Sequence, residues 1–252
     1  MAHYGKRIVR PRGGRAARAA RAAVIGSTRR PRLRQPPVMD PRYWPLYGLR
    51  LRTPRLELRL PDVPLLDELA AVAAGGVHDP DEMPFGVPWT DAPPEERGRG
   101  TFQHVLRTIA EWRPEQWTLS LAVLHEGAVI GRQDLFATEF AVTREAETGS
   151  WLGTAHQGKG LGTEMRAAVV HLAFEGLGAL SLVSGAMVEN GRSLGVSRRI
   201  GYRPDGLSVL AVRGEARTLQ RLRLDRAAWE EHRATPVEIA GLEPCRALFG
   251  AS

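Results

Sequence analysis

Between Trp151 and Thr163 the chain reads Trp-Leu-Gly-Thr-Ala-His-Gln-Gly-Lys-Gly-Leu-Gly-Thr, with glycines at 158, 160 and 162. A strand-like pattern ends at Leu152. A helical pattern follows, with Met165, Ala168, Val169, Leu172 and Ala173 on one face. Unpaired amides at such a turn, backed by the positive end of a helix dipole, make a cradle for an anion. Glycine removes the Cβ that would hold phosphate oxygens away, and Lys159 adds a full positive charge. The plain alternative is a glycine-rich turn without a ligand. Two nucleotide motifs are excluded: Lys159 is followed by Gly160 where a P-loop needs Ser or Thr, and the glycine spacing is not GxGxxG.

Stepping outward, the elements that must position this turn form an alternating series. Arg55–Leu60 alternates as a strand, and Asp62 can cap a helix carrying Leu65, Leu66, Leu69, Val72 and Ala73, stopped at Gly75–Gly76. Five prolines between His78 and Pro94 force a loop. Glu95 to Trp112 has helical spacing, with Phe102, Val105, Leu106 and Ile109 on its apolar side. Trp117–His125 and Ala128–Thr138 read as a hairpin turning at Glu126-Gly127, and Glu147–Leu152 as a further strand. Leu180–Met187 is nearly all apolar, as a strand buried on both faces would be. A short helix at Asn190–Ile200, strands at Tyr202–Arg213 and Arg217–Leu224, and an amphipathic segment from Asp225 to Arg233 complete one mixed-sheet α/β domain.

Composition bounds the function class. The 252 residues carry a net charge of +7, but residues 1–38 hold Lys6, ten arginines and no acid, which leaves residues 39–252 mildly acidic. A basic whole is therefore no evidence that the fold binds nucleic acid. Lys6 and Lys159 are the only lysines, so arginine abundance reflects a general codon bias and says little about an anionic partner. The N-terminal segment is expected to be disordered and to be an inert extension ahead of a start at Met39; a nucleic-acid arm and a targeting segment are the alternatives. One cysteine, Cys245, excludes an intrachain disulfide, and the seven histidines show no HExxH or HxH spacing, so no metal is expected. No apolar run reaches the roughly 18 residues of a membrane span, and a cytoplasmic protein without membrane partners is expected.

Gln157-Gly158-Lys159-Gly160-Leu161-Gly162 fits the [Gln/Arg]-x-x-Gly-x-[Gly/Ala] signature of the GNAT superfamily of acyl-CoA N-acyltransferases. The resemblance extends both ways. Glu147–Gly153 is similar to the preceding strand in the RimJ/RimL-type branch, and Asn190 to Tyr202 looks like that branch's Asn-x-x-Ser-x-x-Val…Gly-[Phe/Tyr] segment. Together these cover roughly residues 51–225. The resemblance implies a GNAT fold: a single domain, residues 39–252, whose mixed, mostly antiparallel sheet is splayed and flanked by helices.

It also implies acetyl-CoA as acyl donor, with the pantetheine arm between Ser150–Gly153 and Val183–Val188 and the pyrophosphate on the amides of Gln157 to Thr163. Donor-binding residues are then Trp151, Leu152, Gln157, Gly158, Lys159, Gly160, Leu161, Gly162, Thr163, Asn190 and Ser193. Asn190 has a second reading as a helix N-cap. Glu147 matches a position used as base or water organiser, with an ion pair to Arg144 or Arg132 as the alternative. Ser193 would donate a hydrogen bond to the thiolate. Amides near Leu152–Gly153 would polarise the carbonyl. Tyr202 is read as a core residue with its hydroxyl satisfied. Phe85 and Trp89 would line the amine pocket, with Asp79, Asp81, Glu82 and Asp91 making its mouth electronegative.

The implied reaction is direct acetyl transfer to a primary amine, of a protein N-terminus or a small molecule, by a monomer or homodimer. A non-catalytic acyl-CoA-binding module, and a nucleic-acid-associated protein acting through the basic segment, are the competing readings. Removal of residues 1–38 is expected to leave low-salt DNA affinity unchanged, measured by fluorescence anisotropy; a loss on removal would favour the nucleic-acid reading.

Overall fold

The computed structural model describes residues 42–251. The Arg-rich segment, and the domain boundary expected after residue 38, lie outside the described residues. The chain runs β1 (Arg50–Arg52), β2 (Leu56–Arg59), α1 (Val63–Gly75), α2 (Pro94–Ala110), β3 (Gln116–His125), β4 (Ala128–Thr138), a single turn α3 (Phe140–Thr143) and β5 (Glu145–Leu152). It continues through α4 (Leu161–His171), β6 (Ser181–Met187), α5 (Gly191–Ile200), β7 (Arg203–Val212), β8 (Glu215–Asp225), α6 (Arg226–His232) and β9 (Glu238–Ala240). The strands form one sheet in the order β7-β8-β6-β5-β4-β3-β2-β1-β9. Every neighbouring pair is antiparallel except β5 with β6.

Local chemistry explains most of these elements. Asp62 caps α1 by accepting from the Leu65 amide at 3.1 Å, and Leu65, Leu66, Leu69 and Ala73 are buried. Glu126 and Gly127 both take positive φ, 52° and 84°, which twists the β3–β4 turn to match the strands. One apolar layer joins α1 and α2 to the sheet through Leu69, Val105, Leu124 and Trp151. A larger one lies on the other face, where α4 contributes Met165, Ala168, Val169 and Val170.

Some expectations need correction. Leu106 is 42% exposed, because Val105 faces the core and the next residue is turned about 100° away. Leu180 is exposed and outside β6, whose burial alternates: Leu182, Ser184 and Ala186 are buried while Ser181, Val183 and Gly185 are half-buried. The strand is therefore covered well on one face only. β1, β9 and α3 escape sequence reading because three or four residues carry no period; β1 becomes a strand only by pairing with β2 and β9.

The first turn of α4 is fixed by Glu164, a buried acid. Its carboxylate accepts from Thr53 Oγ1 at 2.7 Å, the Arg55 amide at 2.9 Å and Arg55 Nε at 2.6 Å. Burial pushes this carboxyl up, but the bonds from Thr53 and Arg55 outweigh it and hold the group below its ordinary range. The bonds join the helix start to the β1–β2 turn. Glu164→Ala should lower the unfolding free energy by about 1–3 kcal/mol at neutral pH, measured by urea denaturation. Because the folded-state pKa is depressed, this contribution is present above the unfolded value near 4.3 and is lost as pH falls through the folded one; the wild-type and variant curves should converge in acid.

Candidate active site

β5 and β6 pair for three rungs, Glu145 with Ser181, Ala146 with Leu182 and Glu147 with Val183, and then part. Each keeps its other neighbour: β5 stays paired to β4 as far as Leu152 with Gly131, and β6 to β8 as far as Met187 with Leu219. The sheet therefore opens between them. Ser184 Oγ donates to the Thr148 carbonyl at 3.2 Å where they separate. The Gly153 amide donates to the Ile130 carbonyl at 2.9 Å, toward β4. Alternation along the strand then turns the amides of Leu152 and Ser150 to the open side. Of the two amides expected to polarise a carbonyl, Gly153 is thus already committed. A cleft of about 870 Å³ follows the opening, from the glycine turn to the loop before α2.

The turn itself is held by Gln157, whose Nε2 donates to the Val77 carbonyl at 2.7 Å and the Leu152 carbonyl at 2.9 Å. Its Oε1 accepts from Arg192 Nη1 at 3.2 Å. Gln157 thus shapes the turn as well as lining the cleft. Gly160 caps α4 with φ of 78°, a left-handed conformation that L side chains resist. Thr163 and Glu164 both donate to the Gly160 carbonyl at 3.2 Å, which leaves the preceding amides of the turn for a ligand. Gly158, Gly160, Gly162 and Thr163 line the cleft. Lys159 and Leu161 do not: Lys159 Nζ donates to the Ala155 carbonyl at 2.8 Å on the surface, and Leu161 is buried in the core.

Opposite β5, α5 begins at Asn190, whose side chain accepts from the Ser193 amide at 3.0 Å. The N-cap reading is what the geometry contains, and both Asn190 and Ser193 line the cleft. Glu147 stands at the last rung, half-buried, on the face of β5 shared with Gly149 and Trp151, and is not on the cleft wall. Burial and then the neighbouring Glu145 push its carboxyl above the ordinary range. Neither expected ion pair forms: Arg132 binds Asp134 at 3.0 Å, and Arg144 lies over the Phe140 ring. Tyr202 is buried with its hydroxyl 3.2 Å from Thr148 Oγ1, as a core residue.

The loop before α2 closes the far end. Phe85 lines the cleft; Trp89 does not but packs behind it at a tilt, 5.3 Å from Phe85 and 5.9 Å from Trp151 between ring centres. Of the four acids expected at this mouth, only Glu82 lines the cleft. Asp91 is bound by Arg213, with Nε at 3.0 Å, and that bond holds its carboxyl below the ordinary range. Among the described residues no cluster of histidine, cysteine or acidic side chains has the arrangement of a metal site.

A family model described as an acetyltransferase (GNAT) domain matches residues 55–203, more than half of the chain. The chain belongs to the GNAT acetyltransferase family. It is therefore an acetyl-CoA-dependent N-acyltransferase. Solved structures share the fold: RimJ of Mycobacterium smegmatis in complex with CoA-disulfide, at 18% identity and TM-score 0.61, covering 79% of this chain and 92% of that one. A GCN5-related N-acetyltransferase from Brucella melitensis matches at 22% and 0.56, covering 73% and 81%. RimL, a ribosomal L7/L12 alpha-N-protein acetyltransferase in complex with coenzyme A, matches at 21% and 0.51, covering 70% and 97%. At these identities the likeness is one of fold.

In this GNAT chain sequence reading named Ser150 only as part of the strand edge and missed several other cleft residues: Thr148, Arg166, Arg199, His78 and Arg192. A signal existed for some. Thr148, Ser150 and Leu152 alternate with Glu147, Gly149 and Trp151, so the second face of β5 was available; Ser193, Val196 and Arg199 have helical spacing. Arg166 had none, because it sits on the apolar side of its helix.

A Cβ at Gly162 would stand 3.8 Å from Leu152 Cδ1 and from Val196 Cγ2, an ordinary contact. Gly162→Ala should therefore change acetyl-CoA affinity less than about threefold, whereas Gly160→Ala, strained by about 1–2 kcal/mol at its left-handed φ, should weaken it about tenfold or more. Isothermal titration calorimetry on the two variants makes the comparison.

Proposed function

We propose that this enzyme transfers the acetyl group of acetyl-CoA directly to a primary amine, with donor and acceptor bound together. The observation that carries the reading is the parted β5–β6 edge, continuous with the glycine turn at one end and with the Phe85 loop at the other. Unspent amides at the start of α4 suit the pyrophosphate. The open amides of Ser150 and Leu152 suit the pantetheine amides, as a sheet edge suits an added strand. Without a Cβ, Gly158 and Gly160 let a ligand reach the backbone.

An amine must lose a proton before it attacks a thioester. Glu147 is assigned as the base, acting directly or through a water, on the strength of its raised pKa and its place at the closed end of the opening. Ser193, on the facing helix, is the sulfur donor that the family resemblance implies, and it lines the same cleft. Phe85 is assigned to the acceptor's apolar part and Glu82 to its positive charge. The resemblance to RimJ and RimL favours a protein α-amine as acceptor; a small-molecule amine fits the same chemistry. Monomer and homodimer both remain compatible with the site, which is built within one chain.

Acetyl-CoA should raise the melting temperature, and thiol release should depend on an amine when a panel of polyamines, amino acids and N-terminal peptides is tried. A melting shift without thiol release for any amine would instead indicate a binding module. For Glu147→Gln, kcat should fall by about 10²-fold or more. The wild-type rate should climb as pH rises through the raised Glu147 pKa, and the variant should lose that limb; wild-type kinetics in the variant would remove Glu147 from the role.

A further inference from the structure

Arg166 projects from α4 under the floor of the cleft and is 5% exposed. Its Nη1 donates to Ser197 Oγ on α5 at 3.0 Å and its Nη2 to Ser150 Oγ on β5 at 3.0 Å. Nε has no partner, and no carboxylate among the described residues pairs with the guanidinium. Burial lowers its pKa, yet an arginine stays protonated at neutral pH. The fold therefore keeps a positive charge out of water without a counter-ion. Such a charge is costly at rest and is repaid when negative charge forms beside it.

Ser150 is where that repayment can be collected. It lies on the open edge of β5, three residues beyond the last rung, and lines the cleft. Its Oγ accepts from Arg166, so its own hydrogen is left to donate, and a hydroxyl polarised by a cation is a stronger donor than a free one. Ser193, the residue that the sequence favours for this task, has no such cation bonded to it.

We infer that Ser150, polarised and positioned by Arg166, is the donor that stabilises the negative charge formed on the thioester sulfur during transfer. The inference rests on the acetyl-CoA reading above. In the step, the amine nitrogen bonds to the acetyl carbon and the carbon–sulfur bond breaks. The electron pair goes to sulfur, which leaves as thiolate under the Ser150 hydrogen bond. The amine proton goes to the base and then to solvent. Ser150 transfers no proton, and Arg166 is a positioning residue.

The bound product, CoA, reports this directly through the ultraviolet absorption of its thiolate. Bound to wild-type protein, CoA should hold about tenfold more thiolate than free CoA at a pH well below both thiol pKa values. Ser150→Ala and Arg166→Met should both abolish the excess, and Arg166→Lys should restore part of it. In Ser150→Ala, kcat should fall on the order of 100-fold with KM nearly unchanged. Arg192, Arg199, His78, Glu82 and Glu147 remain in place in that variant, as does Tyr202 against Arg166, so a lost excess is not theirs.

An equal thiolate fraction in wild type and Ser150→Ala overturns the inference and leaves Arg166 as a brace between α4, α5 and β5. Should Arg166→Met fail to fold, Ser150→Ala decides alone, since it removes one hydroxyl at a strand edge. Failure of wild-type protein to bind CoA at all would instead overturn the acetyl-CoA reading, and the two failures are separated by the melting shift.

Discussion

Everything at the site depends on β5 and β6 ceasing to pair after Glu147 and Val183. A parallel pair that continued would spend the Ser150 and Leu152 amides on β6 and leave no slot. The strands part while each stays tied on its far side, β5 to β4 and β6 to β8. Unpaired strand edges are costly inside a protein. Side chains meet part of that cost here: Ser184 bonds the Thr148 carbonyl, and Gln157 bonds that of Leu152. What is left over is donors on an edge that an extended ligand can complete.

The electrostatics of the cleft are local. The single lysine near the turn points to the surface, so the positive character at the glycine-turn end of the cleft comes from backbone amides, the helix start and Arg192. Deeper in, the uncompensated charge is Arg166. Neither depends on the net charge of +7, which arises from +11 in residues 1–38 against −4 in the rest of the chain. The buried acid Glu164 serves the opposite purpose: its bonds to Thr53 and Arg55 fix the start of α4, and so the place of the amide cradle.

The side chains proposed for the chemistry lie on opposite faces of β5. Glu147 shares a face with Trp151 and, through Trp89 and Phe85, with the loop assigned to the acceptor. Ser150 and Thr148 share the face toward α4 and α5. On the proposed assignments, a strand with period two offers a base to one substrate and a donor to the other without the two competing for space.

Much of this was legible in the chain itself. The glycine turn, the capped helices at Asp62 and Asn190 and the hairpin at Glu126-Gly127 are local, decided by backbone freedom and by neighbours within four residues. The family resemblance, carried by Gln157, Gly160, Gly162 and the Asn190–Tyr202 segment, was legible for the same reason. Which groups meet was another matter. Asp91 taken by Arg213, and Arg166 reaching Ser150 and Ser197, depend on residues between 16 and 122 positions apart. The three-residue strands β1 and β9 exist only as partners. Residue order determines the elements and the kind of chemistry, because those rest on local dihedrals and side-chain type; only tertiary packing decides which charge is paired, which edge is open and which hydroxyl can donate.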